Sequence, residues 1–204
     1  MNLEKHLDRA EQALERGQPD FAIELCDQVL DFAPGDARAA ELLVRAALEG
    51  GAAGVLGKLG AKGGGLLSKV ARLARNPEAE ARNLRRAFLR NPGDAALGVQ
   101  WADALERAGH EGGALGVCRA LAEVDAEAAK RAGRLAAARG RVDEALAFYE
   151  KALAVDPRDT EAMRARKNLA AEQALRSGGS EGSGLDTEAF LRAARGEDGP
   201  PPSA

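Results

Sequence analysis

The stretch Arg134–Asp159, "RLAAARGRVDEALAFYEKALAVDPRD", contains the pattern that best predicts the fold of this chain. A glycine, Gly140, separates two runs whose apolar residues recur at helical spacing, which predicts two helices joined by a tight turn. The second run ends before Pro157, because proline lacks the amide hydrogen that a helix interior needs. Spacings of four and three residues place three side chains of this run on one helix face: Ala145, Tyr149 and Ala152.

This stretch resembles a tetratricopeptide repeat, which is a 34-residue helix pair with small residues at the helix crossings, an aromatic residue in the second helix and a closing proline. The positions that match are Gly133, Ala145, Tyr149, Ala152 and Pro157. Ala129 and Ala132 replace the aromatic residue and the leucine of the first helix. The resemblance implies an all-α, right-handed solenoid of about four to five helix hairpins, with a C-terminal solvating helix and a flexible tail.

The composition agrees with closely packed helices. Apolar residues make up 45% of the 204 residues and aromatic residues only 3%, so much of the packing must involve alanine and leucine. A net charge of −3 gives no general attraction to nucleic acid. The first seventeen residues are charged throughout and lack the apolar core of a signal peptide, and no apolar run approaches membrane-spanning length. We therefore expect a cytoplasmic location.

The spacing of the first stretch recurs along the chain. Residues 3–34 reproduce it through Ala10, Gly17, Ala22, Cys26 and Pro34, and a later pair reproduces it through Gly109, Ala114 and Cys118. Between these two pairs we predict a third helix, about Ala37–Glu49, capped by Asp36, and a further helix, about Glu78–Arg90, in which Glu80 occupies the slot of an alanine. A final charged helix, Thr160–Arg176, closes the repeat domain, which spans residues 1–176.

A glycine-rich insertion at residues 50–76 interrupts the repeats and leaves two interpretations open. Either the insertion splits one repeat, so that the helix near 78–90 completes the hairpin begun by the third helix, or residues 52–61 and 66–75 form two short extra helices. The insertion carries five basic residues and no acidic one: Lys58, Lys62, Lys69, Arg72 and Arg75. On a helix its leucines and valines would fall opposite these cations. It could pack on the neighbouring helices, bind a protein partner or lie on an anionic membrane surface.

The sequence contains no pattern typical of catalysis, of a cofactor or of a metal site. Cys26 and Cys118 occupy the slot of Tyr149 in their repeats, which favours a role as small core residues over a disulfide or a reactive thiol. His6 and His110 lack further ligands at metal-binding spacing on one helix face, so we interpret both as surface or packing residues. We therefore expect a protein that is not an enzyme.

The family resemblance implies a concave groove lined by the first helix of each repeat, where a peptide or protein partner would bind. Its positions carry over to Glu4, Leu7, Glu11, Arg38, Glu41, Arg45, Val99, Asp103, Lys130 and Arg134. This groove would be acidic near the N-terminus and more basic toward the C-terminus, although a merely solvated charged face is the alternative. Leu7, Glu11 and Leu42 replace polar groove residues with which some relatives hold the C-terminal carboxylate of heat-shock chaperones, which disfavours that specialised role.

Beyond the repeats, residues 177–184, "SGGSEGSG", have the composition of a flexible linker. The remaining tail, residues 185–204, contains a short segment that could form a helix. Its large apolar residues could dock on a partner or on the groove, or the tail could simply be frayed: Leu185, Phe190 and Leu191. We expect the chain to act as a protein-interaction scaffold. A peripheral membrane adaptor that uses the insertion as its contact is the alternative. The sequence does not indicate the oligomeric state of the chain.

Overall fold

A computed structural model describes residues 2–50 and 76–181 of the chain. The chain divides into two compact units, Met1–Arg166 and Lys167–Ala204. Every regular element in the described residues is an α-helix, so the expected all-α repeat fold is confirmed. The helices are α1 (Leu3–Glu15), α2 (Pro19–Phe32), α3 (Ala37–Gly50), α4 (Pro77–Arg90), α5 (Ala95–Arg107), α6 (Glu111–Leu121), α7 (Ala126–Ala138), α8 (Val142–Val155) and α9 (Thr160–Glu181).

Three helix hairpins turn at a glycine. Gly17, Gly109 and Gly140 join α1 to α2, α5 to α6 and α7 to α8, with φ angles of 68°, 81° and 73°. This left-handed conformation is costly for residues with a Cβ atom, which explains why the same residue type recurs at the same point of each hairpin. The turns that the sequence spacing predicted are therefore confirmed.

An aspartate caps the N-terminus of each of four helices, α3, α5, α7 and α9. The carboxylates of Asp36, Asp94, Asp125 and Asp159 each accept a hydrogen bond from the backbone N–H three residues later, at 2.8, 3.4, 2.7 and 2.9 Å respectively. Such a cap satisfies an N–H that has no partner within the helix and contributes about 1 kcal/mol. The short segments that end one repeat thus start the next.

The core is built largely from alanine, as the composition predicted. Ala10, Ala22, Ala114 and Ala145 are all completely buried, which allows helix axes to approach closely. Cys26 and Cys118 are also completely buried, which confirms their interpretation as core residues. Burial raises the pKa of each thiol to about 12, so both are protonated and unreactive at neutral pH.

Helix α3 packs against α2 and α6. Three glycines of α6 allow this contact: a Cβ atom on Gly112, Gly113 or Gly116 would lie only 2.4, 2.4 and 2.1 Å from the backbone carbonyl oxygens of Gly35, Pro34 and Ala37. Gly116 lies against Ala37, and further along both helices Arg119 of α6 pairs with Glu41 of α3, so α3 and α6 run parallel. Antiparallel packing is what one hairpin would give, so this contact joins separate parts of the fold.

The helix α4 packs against α5 and makes no comparable contact with α3. The described residues therefore contradict the interpretation in which the helix near 78–90 completes the hairpin of α3. The physical reason is the glycine surface of α6, against which α3 is seated instead. The alternative, two extra helices at 52–61 and 66–75, lies outside the described residues.

Helix α4 is fixed to α5 by aromatic and ionic contacts. The Phe88 and Trp101 rings lie 6.2 Å apart, and both side chains are buried. Glu80, which occupies a slot expected to hold alanine, is only 4% exposed, and its carboxylate lies 2.8 Å from the Arg107 guanidinium. The degenerate repeat thus replaces a small packing residue with a buried carboxylate whose ion-pair partner, Arg107, is partly exposed.

The last helix is longer than predicted. It continues from Thr160 to Glu181, whereas the sequence predicted an end at Arg176, so the first five residues of the expected linker 177–184 are helical. Arg164, Arg166, Lys167 and Glu172 are exposed, in agreement with a solvating end helix. None of the helices in the described ranges is long and apolar enough to cross a membrane.

The contact between α3 and α6 can be tested with Gly116→Ala. Alanine ordinarily stabilises a helix interior by about 1 kcal/mol relative to glycine, but here its methyl group would meet the Ala37 carbonyl oxygen, so we expect a net loss of about 1–3 kcal/mol. Urea unfolding followed by circular dichroism measures this. Gly93→Ala is the control, because a Cβ atom there meets nothing within 4 Å. Equal stability of Gly116→Ala and wild type would refute the close contact.

The cap of α9 predicts a pH dependence. The hydrogen bond from the Ala162 backbone and then the Lys130 ammonium lower the pKa of Asp159. A carboxylate whose folded pKa is lowered stabilises the fold above its unfolded pKa, about 3.9, and this contribution is lost as pH falls through the folded pKa. Asp159→Asn keeps a capping oxygen but removes the charge, so it should cost about 0.5–1 kcal/mol at pH 7.

Urea unfolding of wild type and Asp159→Asn at a series of pH values from 7 to about 3 checks this expectation. The difference in free energy of unfolding should shrink below about pH 4. Asp156→Asn, at an exposed position in the same turn, is the matched control and should change stability little at either end of the range. A difference that stays constant with pH would contradict the assigned charge effect.

Candidate functional site

Ion pairs join the first helices of neighbouring repeats and determine which of the predicted groove residues are available to a partner. The Arg38 guanidinium of α3 lies 3.0 Å from Asp8 and 2.5 Å from Glu11, both on α1. The hydrogen bonds that Arg38 donates, first to Glu11 and then to Asp8, raise the pKa of Arg38. Glu11 and Arg38 were both predicted to face a partner, but in the structure each is neutralised by the other.

The other predicted residues of α1 and α3 differ in their surroundings. Leu7 is only 4% exposed and belongs to the core, so its prediction as a groove residue is wrong. The reason is that α2 packs against the side of α1 that carries Leu7, Ala10 and Leu14. Glu4 and Arg45 are exposed.

Glu41 is turned toward a second helix instead of an open groove. Arg119 of α6 donates hydrogen bonds to Glu41 of α3 at 3.0 Å and to Glu144 of α8 at 2.5 Å. One guanidinium therefore links three helices, and all three side chains are half-buried. Because Arg119 neutralises Glu41 in this bridge, the Glu41 carboxylate does not face a partner in an open groove, as the sequence predicted it would.

Several of the remaining predicted groove residues lie where α5 contacts α7. Arg131 lies 3.2 Å from Asp103 and 3.0 Å from Glu106, and Arg134 lies 2.8 Å from Glu106. Burial raises the pKa of Asp103, but hydrogen bonds from Arg131 and Arg107 outweigh it, so the net pKa is lowered. Val99 on the same helix α5 is half-buried.

Lys130 joins α7 to the start of α9. Its ammonium group lies 2.9 Å from Glu127, 3.0 Å from Asp159 and 2.8 Å from Glu161. The hydrogen bonds that the Lys130 ammonium donates to these carboxylates, that to Glu161 first, raise the pKa of Lys130. Three carboxylates around one ammonium hold it in place and keep it protonated at any physiological pH.

Between α7 and the first turns of α9 lies a cleft of about 200 Å³. Its lining combines predicted groove residues with neighbours on three helices: Glu127, Lys130, Arg131, Arg134, Tyr149, Glu161 and Ala165. Arg134 is the most accessible cation of the three, because its side chain is 59% exposed while those of Lys130 and Arg131 are 15% and 17% exposed.

Helix α8 contributes Tyr149 to the lining of the cleft, and the tyrosine ring packs on Gly133. A Cβ atom on Gly133 would lie 3.0–3.1 Å from the ring atoms, so the glycine allows the tyrosine to settle between α7 and α8. Burial raises the pKa of the Tyr149 hydroxyl, and nearby Arg134 opposes the shift. The hydroxyl is therefore neutral and can donate a hydrogen bond at neutral pH.

Sequence reasoning identified Lys130 and Arg134 but missed the rest of this cleft. It treated Tyr149 only as a core residue and did not carry the groove onto the last helix. The repeat period of 34 residues would have identified the positions on the last helix, because it aligns Glu127 with Glu161 and Arg131 with Ala165. The final helix therefore supplies groove positions in addition to its solvating role.

The remaining predicted sites either lie elsewhere or fall outside the described residues. His110 is half-buried beside the α2–α3 turn, and the His6 Nδ1 atom donates a hydrogen bond to the Asn2 backbone carbonyl oxygen at 2.9 Å. No group of three potential metal ligands occurs in residues 2–50 and 76–181. The five basic residues of the insertion and the tail residues Leu185, Phe190 and Leu191 lie outside the described residues.

The chain is similar to several solved structures, of which three are described here. A thermophilic TPR protein of Thermus thermophilus is 25% identical, with 83% of this chain and 99% of that chain covered and a TM-score of 0.44. MamA is 18% identical, with 98% of each chain covered and a TM-score of 0.45. YrrB, a TPR protein with an unusual peptide-binding site, is 20% identical, with 79% of this chain and 90% of that chain covered and a TM-score of 0.44.

Comparison with sequences is more specific. No match was found among curated proteins. The family model of the tetratricopeptide repeat matches residues 126–159, which comprise α7, its turn and α8. This is the segment that carries the glycine–tyrosine packing and one side of the cleft. The chain is thus a helical-repeat protein that carries a tetratricopeptide repeat at residues 126–159.

Proposed function

We propose that this protein binds an extended segment of a partner protein in the cleft between α7 and α9, as a scaffold or adaptor without catalysis. The observation that carries this proposal is the accessible Arg134 guanidinium beside the Tyr149 hydroxyl, in a cleft on the first-helix surface of a tetratricopeptide repeat. Helical repeats of this kind use such surfaces for binding.

The donors of the cleft favour a partner group that accepts hydrogen bonds. Arg134 has only Glu106 as its ion-pair partner among the described residues, and much of its guanidinium remains exposed. Lys130 and Arg131 are held by carboxylates on both sides, so binding a partner there would cost little side-chain entropy. A carbonyl or carboxylate oxygen of the partner would complete this arrangement, with Arg134 supplying specificity more than affinity.

The size of the cleft favours a peptide over a small molecule. Its volume of about 200 Å³ lies below the range of about 300–1,000 Å³ that encloses drug-sized ligands. It suits one or two side chains of a longer segment, whose remainder would extend over the exposed parts of α7 and the first turns of α9. The cleft would then be the part of a longer contact that selects the partner.

This proposal is tested by closing the cleft. Ala165→Trp should fill it, and Arg134→Glu should reverse its accessible charge. In pull-downs from the native host quantified by mass spectrometry, we expect partners captured by wild type to fall at least about tenfold with each variant, which corresponds to about 1.4 kcal/mol. Circular dichroism and thermal unfolding confirm that the variants are folded.

Matched controls separate the cleft from general surface effects. Ala138→Trp adds the same side chain at an exposed position of α7, and Arg16→Glu reverses an exposed charge at the end of α1. Both should capture partners as wild type does. If the cleft variants also retain every partner, binding in this cleft is refuted.

A further inference from the structure

Helix α4 carries a row of three arginines on one side. Arg82 and Arg86 are exposed, and Arg90 is half-buried. The spacing of four residues places these side chains above one another along the helix, over a length of about 12 Å. Within residues 2–50 and 76–181, no carboxylate lies at ion-pair distance from any of the three. We call Arg82, Arg86 and Arg90 the arginine row.

The other side of α4 is fixed in the protein. The Arg85 side chain is only 5% exposed, its Nε atom lies 2.8 Å from Asp27 of α2, and its guanidinium also pairs with Asp31. The large apolar side chains of α4 are buried: Leu84, Phe88 and Leu89. Because these contacts set the rotation of the helix, the arginine row is held on the side of α4 that faces away from them.

The charge of the arginine row is compensated little by neighbouring carboxylates. Glu78, in the first turn, is the one carboxylate of α4 on that side, because Glu80 is buried and pairs with Arg107. Arg86 lowers the pKa of Asp27, but Asp27 is already paired with Arg85. Like charges four residues apart on a helix repel each other, so the row is unfavourable by itself and a negatively charged ligand would relieve this repulsion.

The segment that precedes α4 in the sequence supplies no negative charge. Residues 51–75 contain five basic residues and no acidic one, so their composition cannot neutralise the arginine row. A ligand that compensates the row must bring acidic groups of its own.

The character of α4 favours an acidic protein segment over a membrane or a nucleic acid. No large apolar side chain of α4 is exposed, so the helix has no apolar face with which to enter a bilayer. Three cations are also fewer than the roughly six to ten phosphate contacts of a typical nucleic-acid complex. A guanidinium, in contrast, binds a carboxylate through two parallel hydrogen bonds, and such pairs are specific in geometry.

We propose that the arginine row of α4 binds an acidic segment of a partner protein, whose carboxylates pair with Arg82, Arg86 and Arg90. None of these residues lines the cleft between α7 and α9. The row is therefore a second contact surface, and either proposal can fail without the other.

Binding of a fluorescein-labelled octaglutamate peptide to the full chain, measured by fluorescence anisotropy at low salt, tests this proposal. We expect Arg82→Gln combined with Arg86→Gln and Arg90→Gln to raise the Kd at least about fivefold, because three exposed ion pairs are lost together. The wild-type Kd should also rise with salt, since exposed charges are screened. Circular dichroism confirms that the variant is folded.

A matched control removes the same charge elsewhere. Arg9→Gln combined with Arg16→Gln and Arg45→Gln changes three exposed cations of α1, its C-terminal cap and α3, and should leave the Kd as in wild type. Should the Arg90 change disturb the fold, Arg82→Gln with Arg86→Gln alters exposed positions alone and should still raise the Kd at least about twofold.

Several results would overturn the proposal. These are the absence of octaglutamate binding to wild type, equal binding by wild type and the row variant, and an equal loss in the control variant. If the row variant loses binding to phosphatidylserine vesicles or single-stranded oligothymidylate while octaglutamate does not bind wild type, a membrane or nucleic acid is the ligand instead. A wild-type dimer that the row variant dissociates in sedimentation velocity would assign the row to a second copy of the chain.

Discussion

The close approach of α3 to α6 is the constraint on which the arrangement of the repeats depends. Three glycines of α6 bring its backbone against the carbonyl groups of residues 34–37, at distances that leave no space for a Cβ atom. Because the two helices run parallel, this contact joins the first three helices to the later ones without forming a hairpin. It also explains how a chain with a long insertion after α3 keeps its first and later repeats packed together: the insertion does not have to supply this contact.

Charge plays a second structural role in this protein. Arg38, Arg119, Lys130 and Arg131 each bridge helices that are distant in sequence, and most of these side chains are half-buried. A surface rich in charge can therefore present few available charges, since most are neutralised by a neighbouring helix. Isolated exposed pairs contribute little to stability, but networks that fix several side chains hold a binding surface in one geometry. Arg134 differs from the others because it is both anchored and exposed.

Local sequence patterns were enough to predict the helix pairs, the glycine turns at Gly17, Gly109 and Gly140, the cap at Asp36 and the burial of both cysteines. Each of these follows from interactions within a few residues or from the side-chain pattern of one helix. Other features became clear only from the packing of the helices: α3 packs on α6, and Glu41 pairs with Arg119. Leu7 is buried, and α9 completes the cleft. These depend on which distant helices meet, and the helical period of a single element carries no information about the neighbour it packs against.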